Sequence, residues 1–270
     1  MTASGKLFAG KIPEIYDRLL VPLIFESYAR DLALRLANPG PPEILETAAG
    51  TGVLTRALAP LLPPQARITA TDLNQPMIDY AASRQPRDTR IIWRQADALA
   101  LPFEDQKFDA AACQFGVMFF PDKVQGYREA YRVLKPGGHF LFNVWDKIAE
   151  NEFADTVNAA LAELFPQDPP DFLARMPYGY FDTGRIREEL AQAGFATISF
   201  EAREEVSRAA SPLDAAIAYC QGTPLRAEIE ARGPLCLEES TQMAAGTLAQ
   251  KFGSGPIEGR IRAYVIACKR

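Results

Sequence analysis

The sequence predicts an α/β fold: a mostly parallel, seven-stranded sheet with helices on both faces and a helical lid added from the N-terminus and from late insertions. Three observations predict it. Short runs of strand length alternate with helical patterns through the first half of the chain. Those runs are continuously apolar, as strands buried on both faces are. A glycine-rich turn joins the first run to the first helix of the alternation, and an acid closes the second run.

Residues 13–37 read as helical, so 1–42 is expected to be an N-terminal helical cover. Residues 43–146 form the expected cofactor-binding core, with strands at 43–49, 67–72, 90–97, 108–115 and 139–146. Helical patterns at 53–62, 75–84 and 123–134 fill most of the gaps, and Lys135-Pro-Gly-Gly138 reads as a turn. After Asp146 the alternation stops. A helix at 151–164 places Phe153, Val157, Leu161 and Leu164 on one stripe, and a Pro-rich aromatic stretch follows, so 147–182 is expected to be a lid insertion. The core resumes over 183–203, with a helix that Gly194 ends and a strand at 196–203. Residues 204–259, helical over 211–250, form a second lid insertion, and 260–270 supplies the last core strand.

Composition excludes several classes. With 48% apolar residues, 270 residues can bury a large core. The net charge is −5 and the basic residues are spread out, so no basic face for nucleic acid is expected. A small, neutral or weakly charged substrate fits better. Four scattered cysteines and a single histidine lack zinc-site spacing, so no metal is expected and the thiols read as reduced and packed. Residues 1–11 hold no apolar stretch of signal-peptide length, and no run approaches the ~20 apolar residues of a membrane span. A cytoplasmic protein is the expectation.

The first strand runs into Glu46-Thr-Ala-Ala-Gly50-Thr-Gly52, a turn that lets a ligand approach the backbone closely. Asp72, twenty positions after Gly52, closes the second strand, where an acid can accept hydrogen bonds from ribose hydroxyls. A nicotinamide or flavin dinucleotide or S-adenosylmethionine would suit both features. Thr55, where a dinucleotide loop carries its third Gly or Ala, counts against the dinucleotides. The bland alternative is a tight turn followed by a helix cap.

Six stretches in order narrow the choice: Ile44-Leu-Glu-Thr-Ala-Ala-Gly-Thr-Gly52, Ala70-Thr-Asp-Leu-Asn-Gln-Pro-Met77, Gln95-Ala-Asp-Ala-Leu-Ala-Leu-Pro-Phe103, Lys107-Phe-Asp109, Gln114-Phe-Gly116 and Arg132-Val-Leu-Lys-Pro-Gly-Gly138. Over 43–146 the chain resembles the class I S-adenosylmethionine-dependent methyltransferases, in particular the ubiquinone and menaquinone biosynthesis group. The resemblance implies a Rossmann-like fold, S-adenosyl-L-methionine as cofactor, S-adenosyl-L-homocysteine as its product, and a small-molecule methyl acceptor. It implies that Gly50, Thr51 and Gly52 pass close to the methionine part and that Glu46 orients the loop or the cofactor. Asp72 would hold the ribose, with Leu73 and Met77 against the adenine. Asp97 would accept from the adenine amino group, Ala98 would offer its backbone amide, and Gln114 and Phe115 would line the methyl-transfer pocket. In related enzymes an N-terminal helix closes over the cofactor, which suggests Tyr16. The chain departs from the pattern at Ala48, where a first glycine is common. A Cβ there is expected to require a negative φ.

Methyl transfer needs placement and a shaped pocket more than a catalytic dyad, and no catalytic residue is assigned. His139 opens the fifth strand at its N-terminal end, away from the carboxyl ends where open α/β sheets bind ligands, and reads as structural. Phe119, Phe120, Trp145, Tyr178 and Tyr180 are candidates for the acceptor site, with core packing as the alternative. The reading is therefore methyl transfer to an O, N or C centre of a small, partly apolar molecule. The alternatives are a non-catalytic S-adenosylmethionine-binding module and a nicotinamide-dependent oxidoreductase.

Overall fold

The computed structural model describes residues 12–38, 40–85, 87–233 and 236–270; the part of the expected N-terminal cover before residue 12 lies outside them. The chain divides into two compact units. The sheet unit comprises Tyr28–Val144, Phe181–Arg203 and Tyr264–Arg270, and the helical unit comprises the segments up to Ser27, Trp145–Tyr180 and Glu204–Ala263.

Seven strands are present: β1 (Glu43–Glu46), β2 (Arg67–Asp72), β3 (Ile91–Gln95), β4 (Phe108–Gln114), β5 (Leu134–Trp145), β6 (Thr197–Ala209) and β7 (Ile257–Lys269). They lie in the order β3-β2-β1-β4-β5-β7-β6. The β1–β2, β1–β4, β2–β3 and β4–β5 pairs are parallel. β7 runs against β5: in the sheet unit Gly137 N donates to Arg270 O and Arg270 N donates to Gly138 O. The strand order reverses at β1, which opens a crevice at the carboxyl ends of β1 and β4.

The sheet-unit helices are α2 (Glu26–Leu36, from Tyr28 on), α3 (Val53–Leu58), α4 (Gln75–Arg84), α5 (Lys123–Val133) and α8 (Thr183–Gln192). Asp122 caps α5 through Gln125 N, Asp182 caps α8 through the amides of Gly184 and Arg185, and Gly194 at φ +110° ends α8. On one sheet face Ile44, Ile68, Ala70, Ala110, Ala112 and Leu141 pack against Leu32, Leu36, Leu54 and Leu58 in a single apolar cluster. On the other, Tyr127 of α5 meets Phe140 and Phe142 with ring centroids 6.2 and 5.5 Å apart.

In the helical unit a short helix α1 (Ile12–Ile15) runs into a π-helical segment, Tyr16–Phe25, with Pro22 inside it. The unit continues with α6 (Glu152–Leu164), α7 (Phe172–Arg175), α9 (Pro212–Gln221), α10 (Leu225–Glu230) and α11 (Cys236–Phe252). Ser211 caps α9 by accepting from Asp214 N, and Pro212 occupies its first turn.

Three strands are longer than the sequence reading has them. β5 starts at Leu134 because Leu134 pairs with Phe108 and His139 with Ala110, so that Lys135–Gly138 form a bulge between the two pairs. The expected turn is therefore a bulge inside one strand. β6 runs on through Glu204–Ala209 and β7 begins at Ile257, in stretches assigned to an insertion. β6 lies at the sheet edge and is mostly exposed, so its charged residues carry no apolar alternation for sequence reading to follow. Among the described residues no helix is long and apolar enough to cross a membrane, and no cluster of three metal-ligating side chains occurs.

Candidate active site

The site is built at the carboxyl end of the sheet, from the strand register upward. In parallel strands, Cα partners present their side chains to the same face. Glu46 pairs with Ala70 and with Ala112. Asp72 stands two residues beyond Ala70, Gln114 two beyond Ala112, and Asn143 pairs with Gln114. The apolar face formed by Ile68, Ile44, Ala110 and Leu141 thus ends in a row of polar side chains: Asp72, Glu46, Gln114 and Asn143. Their residues are 7%, 2%, 9% and 0% exposed.

The glycine loop hangs on the first two. Gly50 N donates to Asp72 Oδ2 at 2.9 Å, and Asp72 Oδ1 accepts from Asn74 N at 2.8 Å and from Asn74 Nδ2 at 3.3 Å. Burial pushes the Asp72 carboxyl above the usual carboxylate range, opposed by those hydrogen bonds. Thr55 Oγ1 donates to Glu46 Oε2, and Arg56 donates to the Thr51 carbonyl. Burial raises the Glu46 carboxyl to about 8, against the Thr55 hydrogen bond and the charge of Arg56, with Asp72 adding to the rise. Thr55 therefore has a positive reason to stand where a dinucleotide loop has Gly or Ala: its hydroxyl ties α3 to the end of β1.

Gly50 and Gly52 both have left-handed backbones, at φ +57° and +82°. A Cβ on Gly50 would meet nothing within 4 Å, whereas one on Gly52 would lie 2.6 Å from Trp93 Cη2. Gly50 thus leaves a cradle open, while Gly52 is needed for packing. The expectation that Ala48 has a negative φ is corrected: its φ is +52°. Gly116 permits this, because a Cβ on Gly116 would lie 2.4 Å from Ala48 Cβ. The loop keeps a glycine-like conformation, and the space that Ala48's methyl occupies comes from the next strand. Phe115, beside Gly116, also has a positive φ of +51°.

The other expected cofactor residues fall along the same edge. Leu73 is half-buried, its carbonyl accepting from Gln95 Nε2 at 2.9 Å, and Met77 is buried in α4. Asp97 is exposed and uses Oδ1 to accept from Leu99 N at 2.9 Å; Ala98 is half-buried beside it. Arg132 anchors the following loop by donating to Leu101 O, Phe103 O, Glu129 and Asp105, while Leu101 N donates to Glu129 Oε2. Sequence reasoning quoted Arg132 without a role; only the fold brings it to that loop. The Phe115 ring meets Tyr28 edge-on at 5.4 Å. Phe119 is half-buried in the turn Val117–Phe119, and the Phe120 ring lies over Gly126 of α5.

Tyr16, Trp145, Tyr178 and Tyr180 belong to the helical unit. There Tyr16 stacks on Phe25 at 5.3 Å, and Trp145 lies 5.8 Å from both Phe25 and Tyr178. Tyr178 and Tyr180 are buried. His139 is exposed and lies inside β5, just past the bulge and four residues before Asn143, rather than at the strand's start.

The residues present fit an adenosyl cofactor. Gly50 leaves space open above a backbone turn, Asp72 supplies an acceptor at the next strand end, and Thr51 Oγ1 is buried with no hydrogen-bond partner among the described residues.

Comparison with known proteins shows the family to which the chain belongs. Residues 45–142 match the family described as methyltransferase domain. A demethylmenaquinone methyltransferase of Thermus thermophilus is 38% identical over 184 residues, spanning 67% of this chain and 80% of the relative. Another of that name, from Lactobacillus johnsonii, is 31% identical over 57% of this chain and 68% of its own length. A crystal structure of a putative methyltransferase from Bacillus halodurans superposes with a TM-score of 0.58 at 21% identity, covering 90% of this chain and 98% of that one, a likeness of fold alone.

Proposed function

We propose, since the chain belongs to the class I S-adenosylmethionine-dependent methyltransferases, that it methylates an O, N or C centre of a small, partly apolar acceptor, and that the acceptor is a quinol-type ring. The finer statement is supported by the names of the relatives, demethylmenaquinone methyltransferases and ubiquinone/menaquinone biosynthesis C-methyltransferases. The observation that carries the cofactor assignment is the bond from Gly50 N to Asp72 Oδ2 at the point where the strand order reverses, under an open cradle.

S-adenosylmethionine supplies a methyl group activated on a sulfonium. The protein's part is to bind and align: Asp72 takes the ribose, the Gly50–Gly52 turn takes the methionine part, Leu73 and Met77 flank the adenine, and Asp97 and Ala98 read its edge. Gln114 and Phe115 border the reacting methyl. Bound there, the cofactor would supply the methyl group, its S–C bond breaking as the bond to the acceptor atom forms, and the acceptor's proton would leave to solvent. Placement about 3–3.5 Å in line supplies the rate.

Calorimetry with S-adenosylhomocysteine tests the cofactor half. Asp72→Ala is expected to weaken binding by about 10- to 100-fold, the loss of charge-assisted hydrogen bonds. Wild-type protein that ignores S-adenosylhomocysteine but binds NADH would overturn the assignment. Turnover of reduced 1,4-naphthoquinone tests the acceptor half.

A further inference from the structure

The row of polar side chains crowning the sheet has four members, and the cofactor reading accounts for three of them. Asp72, Glu46 and Gln114 stand on β2, β1 and β4. Asn143 continues the row onto β5, beside Gln114 and on the same face. Asn143 is completely buried, and neither its Oδ1 nor its Nδ2 has a hydrogen-bond partner among the described residues. A primary amide carries two donors and an acceptor, and leaving all of them unmet in the interior is costly. Nothing in the sheet requires that cost: Leu141, two residues earlier on the same face, packs in the apolar cluster, and Val144 and Trp145 follow as buried apolar residues. A leucine at 143 would continue the core.

We propose that Asn143 is an acceptor-binding residue, whose carboxamide hydrogen-bonds an oxygen of the methyl acceptor and so orients the ring toward the methyl group. The inference rests on the cofactor reading, because the row runs from the ribose end at Asp72, through the methyl-transfer position at Gln114, to Asn143 one strand farther on. An amide suits an acceptor oxygen in either state, donating from Nδ2 to a carbonyl or an oxyanion and accepting at Oδ1 from a hydroxyl. It also selects. An acceptor lacking that oxygen leaves the amide unmet, which disfavours it strongly against one that has it.

The test compares wild type with Asn143→Leu and Asn143→Ala in three measurements: thermal unfolding, S-adenosylhomocysteine binding by calorimetry, and turnover of reduced 1,4-naphthoquinone. The expected result is that Asn143→Leu unfolds at or above the wild-type temperature, that both variants bind S-adenosylhomocysteine within about twofold of wild type, and that kcat/KM for the quinol falls by about 10- to 100-fold. Turnover equal to wild type overturns the proposal. So does a drop of several degrees in unfolding temperature with Leu, or failure of both variants to fold, since each makes Asn143 a structural residue. A wild type that does not bind S-adenosylhomocysteine removes the cofactor reading and this inference with it. If wild type binds S-adenosylhomocysteine but leaves the quinol unmethylated, the quinol reading alone fails. Asn143 is then tested on the acceptor that wild type does methylate in a panel of phenols, amines and carboxylates: turnover lost from both variants, with stability and cofactor affinity unchanged, upholds its ligand role, and turnover equal to wild type overturns it.

Discussion

Glu46 is a carboxyl group that this fold prefers to keep neutral, and that preference predicts how stability changes with pH. Burial raises it from 4.5 to about 8. A carboxyl whose folded value lies above its unfolded value stabilises the fold fully at low pH. That contribution is lost as pH rises from the unfolded value through the folded one. Between pH 6 and 8 the native state holds a proton the unfolded chain has released, and stability falls by about 1.36 kcal/mol per unit, about 2.5 kcal/mol in all. Glu46→Gln keeps an oxygen to accept from Thr55 Oγ1 and removes the titration. In urea unfolding at pH 6, 7, 8 and 9, the variant is expected to gain on wild type steadily, by roughly 2–3 kcal/mol across the series. Asp72, also raised by burial, adds a slope of its own to both proteins; its charge is the smallest of the causes acting on Glu46, so the difference between the two proteins is dominated by Glu46. Parallel curves for the two proteins would refute the reasoning, because they would mean that Glu46 is already ionised in the fold at pH 6.

Gly52→Ala combines a left-handed backbone with a Cβ 2.6 Å from Trp93, and is expected to cost about 2–4 kcal/mol in urea unfolding. Ala48→Gly relieves a left-handed alanine and is expected to stabilise by up to about 1 kcal/mol. Gly116→Ala sets a Cβ 2.4 Å from Ala48 Cβ and 2.6 Å from Cys113 Sγ, so it should destabilise by about 1–3 kcal/mol; adding Ala48→Gly should restore part of that loss, a coupling visible in a double-mutant cycle. Arg132→Met leaves Phe103 O without its donor and removes one donor each from Leu101 O and Glu129, which keep Phe103 N and Leu101 N, and is expected to speed amide hydrogen exchange in the loop after Asp97 and to weaken S-adenosylhomocysteine binding several-fold.

What the sequence discloses about this site is what lies at a fixed distance along the chain. The Gly50–Gly52 turn and Asp72 are readable because a strand end, a turn and the next strand end recur at a spacing the βαβ unit imposes. What stays hidden is set by residues far apart in sequence and adjacent in the sheet. The conformation of Ala48 is misread from its own neighbourhood because the accommodating residue, Gly116, sits at the end of β4, and only the parallel pairing of β1 with β4 brings the two into contact. Asn143 is hidden for the same reason. Within Phe142-Asn-Val-Trp145 it reads as one polar residue in an apolar strand, and it joins Asp72, Glu46 and Gln114 only through the register of four adjacent strands.

That difference also separates what holds the site together from what it selects. The loop is tied by bonds that use ordinary chain geometry: Gly50 to Asp72, Thr55 to Glu46, Asn74 to Asp72. Each of these polar groups has a partner within the protein, so substituting one perturbs stability and cofactor affinity together. Asn143 has no such tie, and its replacement by an apolar residue of similar size removes an unmet amide without breaking any bond among the described residues. A fold does not gain stability by retaining such a group. Its presence at the carboxyl end of the sheet, one strand beyond Gln114, is the reason for proposing a partner that arrives from outside the chain and offers it an oxygen.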